Sequence, residues 1–188
     1  MLQLNSVANV GVHRTCTPLY EKYEATPYNT FLDPSETNNI YSGMVMFRSG
    51  SDTVKLLTGT TAVVNTVVSG VSTQSTASGP QAFGLSALDR NPNIDDITQV
   101  GVNAWAVWLG GANAFFTLTA PAFDTTQAYT VNTNGTRTLL YTASGTGQLT
   151  SSATTGPANS VWTVPVAELI DVISPTQIVV RLAAGLAN

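Results

Sequence analysis

The sequence predicts an all-β protein: a small barrel or sandwich of about eight or nine short strands, led by an extended irregular N-terminal arm. Three observations carry this expectation. Apolar residues fall in short β-branched runs bounded by clusters of Gly, Ser, Asn and Asp, which is how strands and turns alternate. Threonine, a strand-favouring residue, supplies 28 of the 188 positions. Asn134-Gly135 sits between β-rich flanks at 129–141, and this dipeptide is the strongest short-range hairpin signal.

Residues 1–40 differ in character from the rest of the chain. They hold Pro18, Pro27 and Pro34, the acids Glu21, Glu24, Asp33 and Glu36, and four aromatics without sustained periodicity. Proline removes a ladder donor and biases its predecessor toward extended backbone, so the segment reads as an arm. Residues 41–188 read as a single β domain, with strands expected at 43–48, 53–57, 61–69, 98–109, 113–119, 128–132, 136–143, 160–166 and 176–182. A further element begins near Phe83. Both faces of the stretch at 99–109 carry large apolar groups, including Trp105 and Trp108, which predicts a central strand covered on both sides. The Ser/Thr/Gly-rich stretches at 69–80 and 144–159 read as polar loops, and 168–173 as one helical turn.

Composition excludes several classes of function. Charged residues make up 10% of the chain, against roughly 25% in ordinary globular proteins, so much of this surface is expected to face protein rather than water. The seven basic residues are never adjacent and the net charge is −4, which argues against a nucleic-acid partner, since phosphate binding needs concentrated positive charge. The least polar stretch, 104–118, is interrupted by Gly110, Gly111, Asn113 and Thr117. It falls short of the ~20 apolar residues that span a bilayer, so no membrane helix is expected. The N-terminus has no basic segment followed by a long apolar one, so no export signal is expected. Cys16 is the single cysteine and offers neither an internal disulfide nor a structural zinc site.

Catalytic raw material is thin. His13 is the single histidine and lies three residues from Cys16 in the arm, with no flanking motif to build a nucleophile and base. Asp89, Asn91, Asn93, Asp95 and Asp96 resemble a calcium loop, but Ile94 and Val100 stand at the sixth and twelfth positions, where that loop needs Gly and an acid. Gly145-Thr146-Gly147 lacks the lysine and helix of a phosphate cradle. The sequon at Asn134 coincides with the predicted turn. No catalytic, cofactor-binding or metal-ligating residue is therefore assigned, and the chain is not expected to be an enzyme; a pocket lined by His13 or by three converging acids would reverse that. The interface candidates are Tyr20, Tyr23, Tyr28 and Phe31, aromatic anchors whose spacings of three, five and three residues fit neither one helix face nor one strand face. They are expected to enter separate pockets along an extended path; the alternative is that they cover the protein's own barrel.

Residues 41–58 (YSGMVMFRSGSDTVKLLT), Phe83-Gly84-Leu85 and the segment DRNPNIDDITQVGV at 89–102 resemble tailed-bacteriophage head decoration, or cement, proteins of the small β-barrel type. The resemblance implies a virion structural protein that binds the outer surface of the capsid and bridges neighbouring major capsid subunits. It further implies the major capsid protein as partner, a homo-oligomer with the trimer favoured, no cofactor, and assembly in the host cytoplasm. The alternative is another assembly or adhesion module, such as a tail-tube or fibre-base subunit.

Overall fold

The computed structural model describes residues 15–19, 27–58, 62–68, 71–75, 80–90, 104–110, 114–152, 161–163 and 165–182. Among these residues there are fourteen strands and no helix, so the all-β expectation holds. In chain order they are β1 (Cys16–Pro18), β2 (Tyr28–Leu32), β3 (Val45–Arg48), β4 (Thr53–Leu56), β5 (Ala62–Val68), β6 (Val71–Ser75) and β7 (Ala82–Ser86). The C-terminal half adds β8 (Ala104–Trp108), β9 (Phe115–Thr119), β10 (Thr138–Thr142), β11 (Leu149–Thr150), β12 (Val161–Thr163), β13 (Ala167–Ser174) and β14 (Gln177–Leu182).

They form three sheets. A closed barrel runs β2-β4-β3-β7-β8, a six-stranded sheet runs β1-β9-β14-β13-β10-β11, and a three-stranded sheet runs β12-β5-β6. Among the described residues every ladder is antiparallel except that of β2 with β4, where Phe31 opposes Thr53 and Leu32 opposes Val54. Strand β2 closes the barrel by also pairing β8, with Tyr28 opposite Val107 and Phe31 opposite Ala104.

Two apolar clusters follow from period-2 alternation. Leu32, Met46, Val54, Leu56, Phe83, Trp105 and Val107 fill the barrel. Their neighbours Val45, Ala82 and Leu85 point outward, to a second cluster completed by Phe116, Leu118, Leu140, Leu149, Ile178 and Val180 of the six-stranded sheet. Val45 and Met46 are both fully buried on opposite faces of one strand, because the barrel wall beneath the sheet is covered on both sides. Phe83 and Leu85 belong to different clusters although two residues apart. The β3–β7 register shifts here, Met46 opposing Gly84 and Phe47 opposing Ala82, and such a bulge turns Phe83 inward. On β8, Trp105 enters the barrel and Trp108 meets Phe116 at 5.6 Å across the second cluster. Ala104 is exposed, so cover on both sides is confined to the Trp108 end. The predicted strand's residues 98–103 lie outside the described residues.

Four sequence expectations change. The stretch expected as a helical turn at 168–173 lies within β13, whose register shifts twice against β14, between Leu169 and Asp171 and between Val172 and Ser174. These bulges break the alternation by which a strand is recognised. The polar loop at 69–80 contains β6, a Ser/Thr-rich strand paired with β5 from Val68↔Val71 to Val64↔Ser75. The loop at 144–159 contains the short strand β11, and its residues 153–160 lie outside the described set. Residues 128–132 form no strand, so the predicted ladder across Asn134-Gly135 is absent: β10 pairs β11 and β13 instead. Gly135 does adopt a turn conformation at φ +76°. The loop before it is held by Tyr129, whose hydroxyl lies 2.9 and 3.1 Å from the carbonyls of Asp124 and Leu149, and by Thr138 Oγ1 donating to Thr130 O at 2.9 Å.

Within the N-terminal segment, β1 pairs β9 and β2 is a barrel stave. Between β2 and β3, Glu36 is 2% exposed. Its carboxylate accepts the Leu56 N–H at 2.9 Å and the Asn38 N–H and side-chain amide at 2.8 Å, while its carbonyl accepts Arg90 Nη1 at 2.7 Å. Glu36→Ala strands the Leu56 donor in the barrel end, and hydrogen bonds to charged acceptors contribute about 1.5 to 3 kcal/mol. Stability is expected to fall by about 3 kcal/mol, seen as a lower urea midpoint at unchanged m-value. A loss under ~1 kcal/mol would show that this buried carboxylate is dispensable.

Candidate docking surface

Of the four candidate aromatics, Tyr20 and Tyr23 lie outside the described residues. Tyr28 and Phe31 both lie on β2, and an odd spacing along a strand sends them to opposite faces. Tyr28 is half-buried against the barrel core; its ring meets that of Phe83 edge-on at 5.5 Å. The Arg48 guanidinium caps both rings, 4.4 Å from Phe83 and 5.7 Å from Tyr28, a cation–π arrangement that closes one end of the barrel. Tyr28 is thus engaged within its own chain.

Phe31 points outward and is 47% exposed. Its cross-strand partners are small, Ala104 on β8 and Thr53 on β4, so the ring stands above the wall. Its backbone is fixed by pairing on both sides, and its N–H donates to Asp52 O at 3.0 Å. Further along β4, Lys55 Nζ donates to Ser35 Oγ at 2.8 Å. Asp33 Oδ1 accepts the Ser35 N–H at 2.9 Å and the Ser35 hydroxyl at 2.6 Å. These bonds from Ser35, aided by the Ser49 hydroxyl and the Lys55 ammonium, hold the Asp33 carboxyl down to about 2, so it stays ionised through the neutral range. Phe31 is thus an exposed aromatic on a strand paired on both sides, with small cross-strand neighbours.

Leu19 and Ile173 are the other large apolar residues exposed among the described set, at 44% and 54%. They lie at opposite ends of the six-stranded sheet. Leu19 comes just after β1 and donates its N–H to Phe115 O, and Ile173 adjoins the turn into β14.

Strand addition to the six-stranded sheet is blocked at both edges. On β1 the Cys16 N–H donates to Ser42 Oγ at 3.1 Å and Pro18 has no donor to offer. On β11, Leu149 O accepts the Asp124 N–H at 2.8 Å and Leu149 N–H donates to Ala122 O at 3.3 Å, so a returning loop covers that edge. The barrel, being closed, has no edge.

The residues weighed for chemistry have structural partners where they are described. Cys16 is buried at the β1–barrel junction; burial, with the Asp89 carboxylate nearby, pushes its thiol far above the ordinary range. Asp89 Oδ1 accepts the Ser42 N–H, while residues 91–96 of the calcium-like stretch and His13 lie outside the described residues. Gly145 and Gly147 tie the β10–β11 turn to the barrel, the Gly145 N–H reaching Thr58 O and Gly147 O accepting the Val45 N–H. Among the described residues, no group of three or more His, Cys, Asp or Glu side chains could hold a metal ion.

A closed barrel packed on a six-stranded sheet whose edges are covered, with Phe31 projecting from one barrel strand, defines an all-β protein. Residues 2–185 match the family model described as Phage cement protein, and the chain belongs to that family. Membership gives it a structural role as a component of the phage capsid, with capsid proteins as its partners. No curated protein and no solved structure matches it.

Proposed function

We propose that the protein binds the outer surface of the capsid and bridges neighbouring major capsid subunits, with Phe31 as a central anchor. The observation that carries this reading is the exposure of Phe31 on a paired barrel strand, in a chain of the cement family. Tyr20 and Tyr23 extend the contact as further anchors along residues 1–40. The oligomer is a trimer, which lets one unit touch several capsid subunits, and loading takes place in the host cytoplasm. No catalysis is required, because the bridge acts by burying surface between subunits that would otherwise separate.

The test is co-sedimentation with heads stripped of the protein. Truncating a hot-spot aromatic costs about 2 kcal/mol or more, so Phe31→Ser is expected to weaken binding by about thirtyfold while leaving the thermal transition in place. Wild-type binding by a folded Phe31→Ser protein would remove this wall from the interface. Tyr20→Ser with Tyr23→Ser then tests the N-terminal anchors in the same assay.

A further inference from the structure

The two longest stretches without Asp, Glu, Lys or Arg are residues 56–88 and 138–167. They supply the three-stranded sheet between them: β5 and β6 come from the first, β12 from the second. This sheet therefore contains no charged residue in a chain that carries seven cationic and eleven acidic ones. Among the described residues, no ladder joins it to the barrel or to the six-stranded sheet.

Its edges contrast with the others. Where the barrel is closed and β1 and β11 are covered, β6 pairs on one side, with β5, among the described residues. The register with β5 advances evenly over all five residues, without a bulge. Its sequence, VSTQS, holds no proline and no lysine. Natural sheets blunt a free edge with such charges, prolines or bulges, because a bare row of N–H and C=O groups recruits another strand. An edge with none of these devices is suited to being paired in the assembled state.

We propose that β6 pairs with β6 of a second copy, antiparallel about Thr73, making one continuous six-stranded sheet across two molecules. The pairing is isologous, so one strand supplies both halves. It sets Val71 against Ser75, Ser72 against Gln74, and Thr73 against its own counterpart. No like charges meet, and a Thr–Thr pair is favourable across strands. Each copy carries a net charge of −4, so two copies repel over most of their surfaces and approach most readily where charge is absent. The cement reading enters only in placing the contact: being twofold it lies outside the threefold trimer, and on a capsid it would link one trimer to the next while Phe31 holds each copy to the lattice.

The experiment uses the full chain, free in solution. Thr73→Cys places two thiols directly opposite at the pairing centre, within disulfide reach, and the native Cys16 is buried and does not compete. Mild oxidation is expected to give at least tenfold more covalent dimer with T73C than with V71C, whose counterpart is Ser75. Two charged pairs test the register without oxidation. The S72K/Q74K and S72E/Q74E variants should each sediment as unpaired species at a concentration where the wild type associates, and their mixture should associate again. Equal cross-linking of T73C and V71C, or no association of the mixed charged variants, overturns the proposal. So does a free chain that never pairs but loses head binding on S72K/Q74K, an outcome that would assign the edge to a capsid strand. Retained Phe31-dependent head binding beside any of these failures leaves the cement reading standing.

Discussion

A chain shortened to begin at Ser42 is expected to show no cooperative unfolding transition. The truncation removes β2, which closes the barrel by pairing β8 on one side and β4 on the other. It also removes Leu32 and Ile40 from the barrel core, the Glu36 carboxylate from the Leu56 N–H, and β1 from the edge of the six-stranded sheet. Two barrel edges and much of an apolar interior then face water, and burying a Leu or Ile side chain stabilises by about 1.5 to 3 kcal/mol each. Such losses are comparable to the ~5 to 15 kcal/mol by which domains are stable at all. Calorimetry on the shortened chain should show a broad, featureless trace. A sharp transition near the full-length midpoint would mean that β3, β4, β7 and β8 hold together without their fifth stave. Docking must therefore be separated from folding by point changes such as Phe31→Ser, and not by deletion of the first forty residues.

Gly84→Ala is expected to be among the most damaging single-methyl additions in the chain. A Cβ at this position would lie 2.3 Å from the Trp108 carbonyl oxygen and 2.6 Å from Val107 Cγ1. The first is backbone of the adjacent strand β8, which is itself tied to β2, so the closed barrel cannot yield on one side without straining the other. Overpacking typically costs about 1 to 3 kcal/mol, and the top of that range or beyond is expected here. Gly135→Ala supplies the contrast: nothing lies within 4 Å of the added carbon, and the penalty arises from its φ of +76°, at about 1 kcal/mol. Equilibrium denaturation should rank Gly84→Ala well below Gly135→Ala. The reverse order would show that β7 and β8 are not in contact at this point.

Strands were legible where β-branched or aromatic runs stand between turn residues. The expectations at 43–48, 53–57, 61–69, 113–119, 136–143 and 176–182 each contain an observed strand, trimmed at the ends. Legibility failed where pairing, rather than composition, makes the strand. Val71–Ser75 reads as a loop because Ser, Thr and Gln fill it, yet β5 draws it into a ladder. Within Ala167–Ser174 the stretch 168–173 reads as one helical turn because two register shifts offset its alternation. The opposite faces of Tyr28 and Phe31 follow from their odd spacing once Tyr28–Leu32 is a strand, but that this segment is a strand depends on β4 and β8, which lie more than twenty residues away along the chain. Glu36 gave no sign of burial; it was one acid among several, and its donor on Leu56 is distant in sequence. Bare composition pointed rightly to a structural role, because few charges and many threonines suit a surface that meets protein.

The junction that buries Cys16 has a practical consequence for measuring how the molecule opens. Alkylating reagents attack the thiolate, and a thiol that is both enclosed and strongly resistant to ionisation offers them almost none. Because the chain has a single cysteine, reagent uptake will be governed by how often β1 comes away from β9 and from Ser42. Labelling rates at increasing denaturant therefore time the detachment of this one strand. Compared with the global unfolding rate, they reveal whether the six-stranded sheet unzips from its β1 edge or gives way all at once.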